Sequence, residues 1–132
     1  MAFLLDTNIL SDLMRHPRGR VAHKIAAVGE GQICTSIIVT AELWYGASKK
    51  ASLRLTAQLK EVLRGIEVLR LESPVDVIYG QLRTQLEKRG SPISANDMLI
   101  AAQAKALRHT LVTDNEREFA RIDGLSVENW LR

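Results

Sequence analysis

Short apolar runs alternate with longer stretches of helical spacing along the whole chain, and this alternation constrains the fold more than any other feature. "AFLL" at 2–5, "QICTS" at 32–36, "EVLRL" at 67–71 and "TLVTD" at 110–114 have the length and composition of strands. Between them lie helical segments. "TNILSDLMR" follows the first strand, with Thr7 or Asn8 placed to cap it, and is broken by Pro17 and Gly19. "VAHKIAAV" is closed by Gly29 and Gly31. "IIVTAELWYGASKK" follows the second strand. "LRLTAQLKEVLRGI" carries Leu55, Leu59, Val62, Leu63 and Ile66 on one face. Pro74 opens "VDVIYGQLRTQLEKRG", which ends at Gly90, and Ser94 leads into the Ala-rich "SANDMLIAAQAKALR". "EREFARI" is a short helix, and "LSVENWLR" contributes one more strand. Strands separated by helices are βαβ units, so the expected fold is α/β, a central mainly parallel sheet with helices on both faces.

At 132 residues the chain is expected to be one domain, 1–132, large enough for a real hydrophobic core. The balance of 18 basic against 15 acidic side chains leaves a net charge of +3, which permits nucleic-acid binding without demanding it. A lone cysteine, Cys34, excludes an internal disulfide and fits a reducing compartment. "MAFLLD" meets an acid almost at once, which argues against a signal peptide, and no apolar run reaches membrane length. A cytoplasmic protein with no membrane association is the expectation.

In a sheet of this kind, function collects outside the carboxyl ends of the strands. Four acids fall there. Asp6 ends the first strand, and Glu42 lies early in the helix after the second. Asp97 lies in the first turn of the Ala-rich helix, and Asp114 ends the "TLVT" strand. A doubly wound sheet can bring all four to one edge. Clustered carboxylates repel, and some must protonate unless a cation neutralises them. Hard divalent cations such as Mg²⁺ and Mn²⁺ favour such oxygen ligation, and they activate water and offset charge on a phosphoryl group. Taken singly, each acid also has a structural role open to it: a cap for Asp6, a cap or turn for Asp97 and Asp114, an exposed helix face for Glu42.

Other chemistries find little support. No Gly-rich loop precedes Lys-Ser or Lys-Thr, and no Gly-x-Ser-x-Gly elbow occurs. His16, His23 and His109 lack metal-ligand spacing and read as surface residues. Cys34 reads as core, and Trp44 and Tyr45 as packing residues.

The succession "LLDTNIL", "TSIIVTAELWYGA", "SPISANDMLIAAQAKA" and "LVTDNEREFARIDGLSVENW" resembles the PIN domain, and more closely the VapC toxins of bacterial type II toxin–antitoxin modules. The resemblance runs over essentially the whole chain. It implies a PIN-like three-layer α/β/α sandwich and a Mg²⁺- or Mn²⁺-dependent endoribonuclease that cuts structured RNA, commonly tRNA or rRNA. It implies a homodimer, a VapB-type antitoxin as partner, and operator DNA bound by the toxin–antitoxin complex. Carried over residue by residue, Asp6 and Asp97 match the most consistent metal-binding acids, and Glu42 matches the third. Asn8 is expected to orient Asp6, and Thr113 to brace it through its hydroxyl. Many PIN domains read Thr-x-Asp after the late strand. Here Thr113-Asp114-Asn115 places the acid one residue earlier, so Asp114 is assigned to the site with Asn115 as its alternative.

Lys49, Lys50, Arg54, Arg83, Lys88, Arg89, Arg108 and Arg117 are the basic residues available to hold RNA, with solvated helix faces as their ordinary use. The amphipathic stretches 53–66 and 21–28 offer a groove for an antitoxin segment or, more commonly, core packing. Two other functional classes stay open: a PIN-fold nuclease acting outside a toxin module, and a non-catalytic nucleic-acid-binding protein.

Overall fold

The computed structural model describes residues 2–132. Five short strands form one sheet: β1 (Phe3–Leu5), β2 (Ile33–Ser36), β3 (Glu67–Leu69), β4 (Thr110–Val112) and β5 (Val127–Glu128). Their spatial order is β3-β2-β1-β4-β5, and every pairing is parallel. The mainly parallel sheet expected from the alternation is therefore parallel throughout. Parallel neighbours need long crossovers, and helices supply them: α1 (Thr7–Arg15), α2 (Arg20–Val28), α3 (Ile37–Lys49), α4 (Leu53–Leu63), α5 (Val75–Lys88), α6 (Ala95–Leu107) and α7 (Glu116–Phe119). The architecture is the three-layer α/β/α sandwich.

The central strands are buried from both sides, as a covered parallel sheet requires. Leu4, Leu5, Leu111 and Val112 are fully excluded from solvent, and all four residues of β2 are buried. The Ala-rich helix α6 buries Met98, Ile100, Ala101, Ala102 and Ala104, and its small side chains let it lie close against α5. Trp130, just beyond β5, packs its ring 5.2 Å from that of Phe3 in the central strand β1.

Several strands stop earlier than their apolar runs. β3 ends at Leu69 rather than at 71, β4 at Val112 rather than at 114, and β5 holds just two residues. In β4 the reason is local. The Thr113 hydroxyl accepts the Asn115 N–H at 3.0 Å, and that turn closes the strand before Asp114. Trp44 and Tyr45 also depart from expectation. They are 38% and 65% exposed, on the outward face of α3, rather than packed.

The strand order has one consequence for function. The chain leaves β1 on one side to form β2 and β3, and later returns on the other side as β4. The crevice outside the carboxyl ends of β1 and β4 is thus the topological switch point, where open parallel sheets hold their ligands.

Candidate active site

Leu5 and Val112 are register partners, so the next residues, Asp6 and Thr113, emerge side by side at the switch point. The Asp6 N–H donates to the Val112 carbonyl at 2.9 Å, which extends the ladder by one bond. Asp6 has extended backbone angles, and its carbonyl accepts the Leu10 N–H at 3.1 Å. It is therefore the N-cap of α1. This corrects the expectation that Thr7 or Asn8 would cap that helix: the strand ends at Leu5, and the cap falls on the next residue.

Asp6 is buried, and both of its carboxylate oxygens are engaged. Oδ1 accepts the Thr7 N–H at 2.8 Å, and Oδ2 accepts the Thr113 hydroxyl at 2.8 Å. Burial pushes its pKa from 3.8 up to about 6, against the pull of the Thr113 and Thr7 hydrogen bonds and with a further push from the charges of Asp97 and Glu42. Asp6, Glu42 and Asp97, from three separate elements, thus share one electrostatic neighbourhood.

Glu42 is half-buried one turn into α3, a helix begun directly after β2 by the Ser36 hydroxyl, which accepts the Ile38 N–H at 3.1 Å. The Thr7 hydroxyl donates to Glu42 Oε1 at 3.0 Å, so the residue passed over as a cap is used to hold the second acid. Asp97 sits in the first turn of α6, where its N–H donates to the Ser94 hydroxyl at 3.2 Å. Burial raises its pKa; Ser94 opposes that rise, and the charge of Glu118 adds to it.

Two sequence-based placements change. Asn8 was expected to orient Asp6, but its side-chain amide donates to Asp114 Oδ1 at 3.0 Å. Asn8 is the second residue of α1, and it is exposed. Asp114 is likewise exposed. Asn115 turns its side-chain amide to Glu118 Oε2 at 2.5 Å. Glu118, half-buried on α7, is the acid that the motif reading missed. The segment "EREF" gave no sign of it: Glu118 lies in the first turn of a four-residue helix, and its approach to Asp97 is set by tertiary geometry.

The donor set suits a hard divalent cation in kind. It is all oxygen, and among the described residues no ion pair neutralises Asp6, Glu42, Asp97, Asp114 or Glu118. It is not a closed cage: among the described residues, no three His, Cys, Asp or Glu side chains gather tightly enough to hold a metal by themselves. Mg²⁺ is commonly bound by one or two carboxylates, with waters and substrate phosphate completing the shell, and an open acidic edge allows that arrangement.

The family model of the PIN domain matches residues 3–125. The chain belongs to the PIN-domain family. Within it, the chain is 39% identical to ribonuclease VapC2 of Rickettsia felis, over 98% of both chains. It is 32% identical to the tRNA(fMet)-specific endonuclease VapC of Shigella flexneri, again over 98% of both. A chain in the crystal structure of VapBC2 from Rickettsia felis, bound to a DNA fragment from their promoter, superposes with a TM-score of 0.91 at 36% identity, covering 98% of this chain and 99% of that one. These full-length matches place this PIN domain among the VapC proteins, as the four sequence blocks implied.

Proposed function

We propose that the chain is the toxin of a type II toxin–antitoxin module: a Mg²⁺- or Mn²⁺-dependent endoribonuclease that cuts structured RNA, tRNA or rRNA, and so stops translation in the cytoplasm. It would work as a homodimer, be neutralised by a VapB-type antitoxin, and bind operator DNA in complex with that partner. The observation that carries the catalytic reading is the tie, at the β1/β4 switch point, of buried Asp6 to Thr113 and of neighbouring Thr7 to Glu42, with no ion pair to any candidate acid among the described residues. The VapC relatives named as ribonucleases, and the related complex seated on promoter DNA, support the toxin–antitoxin setting.

Asp6, Glu42 and Asp97 would hold the cation, with Asp114, Asn115 and Glu118 at its margin. When bound, the cation would supply charge neutralisation at the scissile phosphate and lower the pKa of an attacking water. The protein's part is positional. Thr113 and the Thr7 N–H fix both oxygens of Asp6, the Thr7 hydroxyl fixes Glu42, and Ser94 anchors the turn that presents Asp97. Such preorganisation removes the reorientation cost that free carboxylates would carry. Among the described residues no helix is long and apolar enough to cross a membrane.

The test uses Asp6→Asn and Asp97→Asn, prepared separately and checked for unchanged circular dichroism. Each should abolish Mn²⁺-dependent cleavage of total tRNA and rRNA, and chelation should silence the parent protein. Undiminished cleavage by either variant overturns the assignment.

A further inference from the structure

A groove of about 220 Å³ leads away from Glu42 between the second half of α1 and the second half of α3. Along α3 and its C-cap it is lined by Glu42, Gly46 and Lys50 at one-turn intervals, with the apolar Met14, Leu43, Ala47 and Leu55 also lining it. From Glu42 to Lys50 this line runs about 12 Å. Arg15, in the last turn of α1, borders the same groove. One end of the groove is thus an acid of the candidate site, and two cations line its walls.

Like Lys49, Arg54 and Arg117, these two cations lie outside the ion pairs found among the described residues; unlike those three, they line the groove. Arg83 is engaged by Glu87 at 3.4 Å and by the Tyr79 hydroxyl at 2.8 Å, and Arg89 by Asp123 at 2.6 Å. Arg15 makes a single 3.4 Å contact, to the Ser11 hydroxyl, and among the described residues neither it nor Lys50 has a carboxylate partner. An arginine fork and a lysine point charge on one concave surface form a receptor for a phosphate oxygen group. Gly46 leaves the middle of the groove open: a Cβ added there meets no atom within 4 Å.

We propose that this groove seats a backbone phosphate of the RNA strand next to the scissile one, clamped between Arg15 and Lys50. The inference rests on the ribonuclease reading above and adds the direction in which the strand leaves the acids, along α3 towards Lys50. Arg15 and Lys50 are positioning residues. They hold the strand in register and touch no reacting atom. An acidic protein segment is the other macromolecule that two cations would attract. The groove's continuity with Glu42 favours the nucleic acid, since a strand cut at the acids must continue past them.

The experiment compares the parent with Arg15→Gln/Lys50→Gln and with the charge-keeping Arg15→Lys/Lys50→Arg. Both changes lie on exposed side chains, and melting curves confirm folding. For a fluorescent RNA stem-loop in saturating Mn²⁺, the glutamine pair should raise KM about tenfold or more with kcat within about twofold, while the charge-keeping pair recovers most of the KM. In EDTA, where the RNA stays intact, the slope of log affinity against log salt should fall by about 0.7, for the one phosphate that the two cations share. Gly46→Ala, whose Cβ meets no atom of the protein within 4 Å and narrows the middle of the groove, should raise KM in the same direction as the glutamine pair. Parent cleavage together with an unchanged KM and salt slope in the glutamine pair overturns the proposal and leaves the ribonuclease reading standing. A salt slope that depends on Arg15 and Lys50, in a parent that cuts no RNA, supports the groove and removes the ribonuclease reading. Unchanged RNA binding with lost affinity for poly-glutamate identifies a protein dock instead and also overturns the proposal.

Discussion

Asp6 carries opposing demands, and they have a measurable thermodynamic consequence. Its carboxyl is raised from 3.8 to about 6 in the folded chain, mainly by burial. Between those values the folded state keeps a proton that the unfolded state has lost, so stability falls as pH rises from about 4 to about 6 and stays reduced above. The size of the effect, at roughly 1.4 kcal/mol for each pKa unit, is about 3 kcal/mol. In EDTA, Asp6→Asn should therefore stabilise the protein at pH 7 by up to that amount, since asparagine caps a helix as well as aspartate does. The gain should disappear below pH 4. Urea denaturation at pH 7 and pH 3.5 measures both, and an equal effect at the two pH values would refute the account. Thr113 supplies a complementary check. Its hydroxyl lowers the Asp6 pKa, so Thr113→Val should push that pKa higher and move the acid limb of the cleavage pH profile upward. Asp6, Glu42 and Asp97 could be singled out in the sequence because one follows a strand and the others lie early in helices, where a parallel sheet holds its ligands. The roles of Asn8 and Glu118 were not legible, because the choice between Asp6 and Asp114 as the Asn8 acceptor, or the approach of α7 to α6, depends on tertiary geometry that no local pattern encodes.

At the scale of single elements, helix starts aim most of the site. Ser94 caps α6 by accepting the Asp97 N–H at 3.2 Å, and Ser52 caps α4 by accepting the Leu55 N–H at 3.1 Å. The two caps are chemically alike, so Ser94→Ala and Ser52→Ala should each cost about 1 kcal/mol of stability. They differ in what the first turn carries. α6 opens with a candidate metal ligand, whereas α4 opens with Arg54 and the heavily exposed Leu53. Ser94→Ala should thus weaken Mn²⁺ affinity, read by calorimetry, in addition to its stability cost, and Ser52→Ala should leave affinity unchanged. Equal affinities in the two variants would show that Ser94 has no part in presenting Asp97. The elements themselves were legible wherever periodicity was strong, as in α1, α4 and α5. Strand ends were the weak point. An apolar run signals burial, but pairing stops where a turn such as that of Thr113 and Asn115 takes over the backbone, and composition does not mark that residue.

Across the whole molecule, strand order decides what the acids can do together. Alternation of strand and helix implies a parallel sheet, but it leaves open which strands are neighbours. The order β3-β2-β1-β4-β5 puts β1 at the centre, so that Asp6 meets Thr113, 107 positions away, and Thr7 meets Glu42, 35 positions away. The cost of that meeting is unscreened repulsion in the ion-free protein, which a divalent cation would relieve. A ligand that binds only the folded state stabilises it by about 2.7 kcal/mol at a hundred times its Kd. For a domain of this size that is a rise in Tm of about 10 °C. Mn²⁺ at that concentration should therefore raise the melting temperature of the parent, and calorimetric scans should show little or no rise for Asp6→Asn or Asp97→Asn. The ion-free Asp6→Asn protein should begin from a higher Tm than the ion-free parent, because the same carboxylate that earns the cation destabilises its absence. A parent Tm indifferent to Mn²⁺, with RNA cleavage intact, would mean that these acids act without a resident cation, and the repulsion among Asp6, Glu42 and Asp97 would then have to be relieved by the RNA-bound state itself.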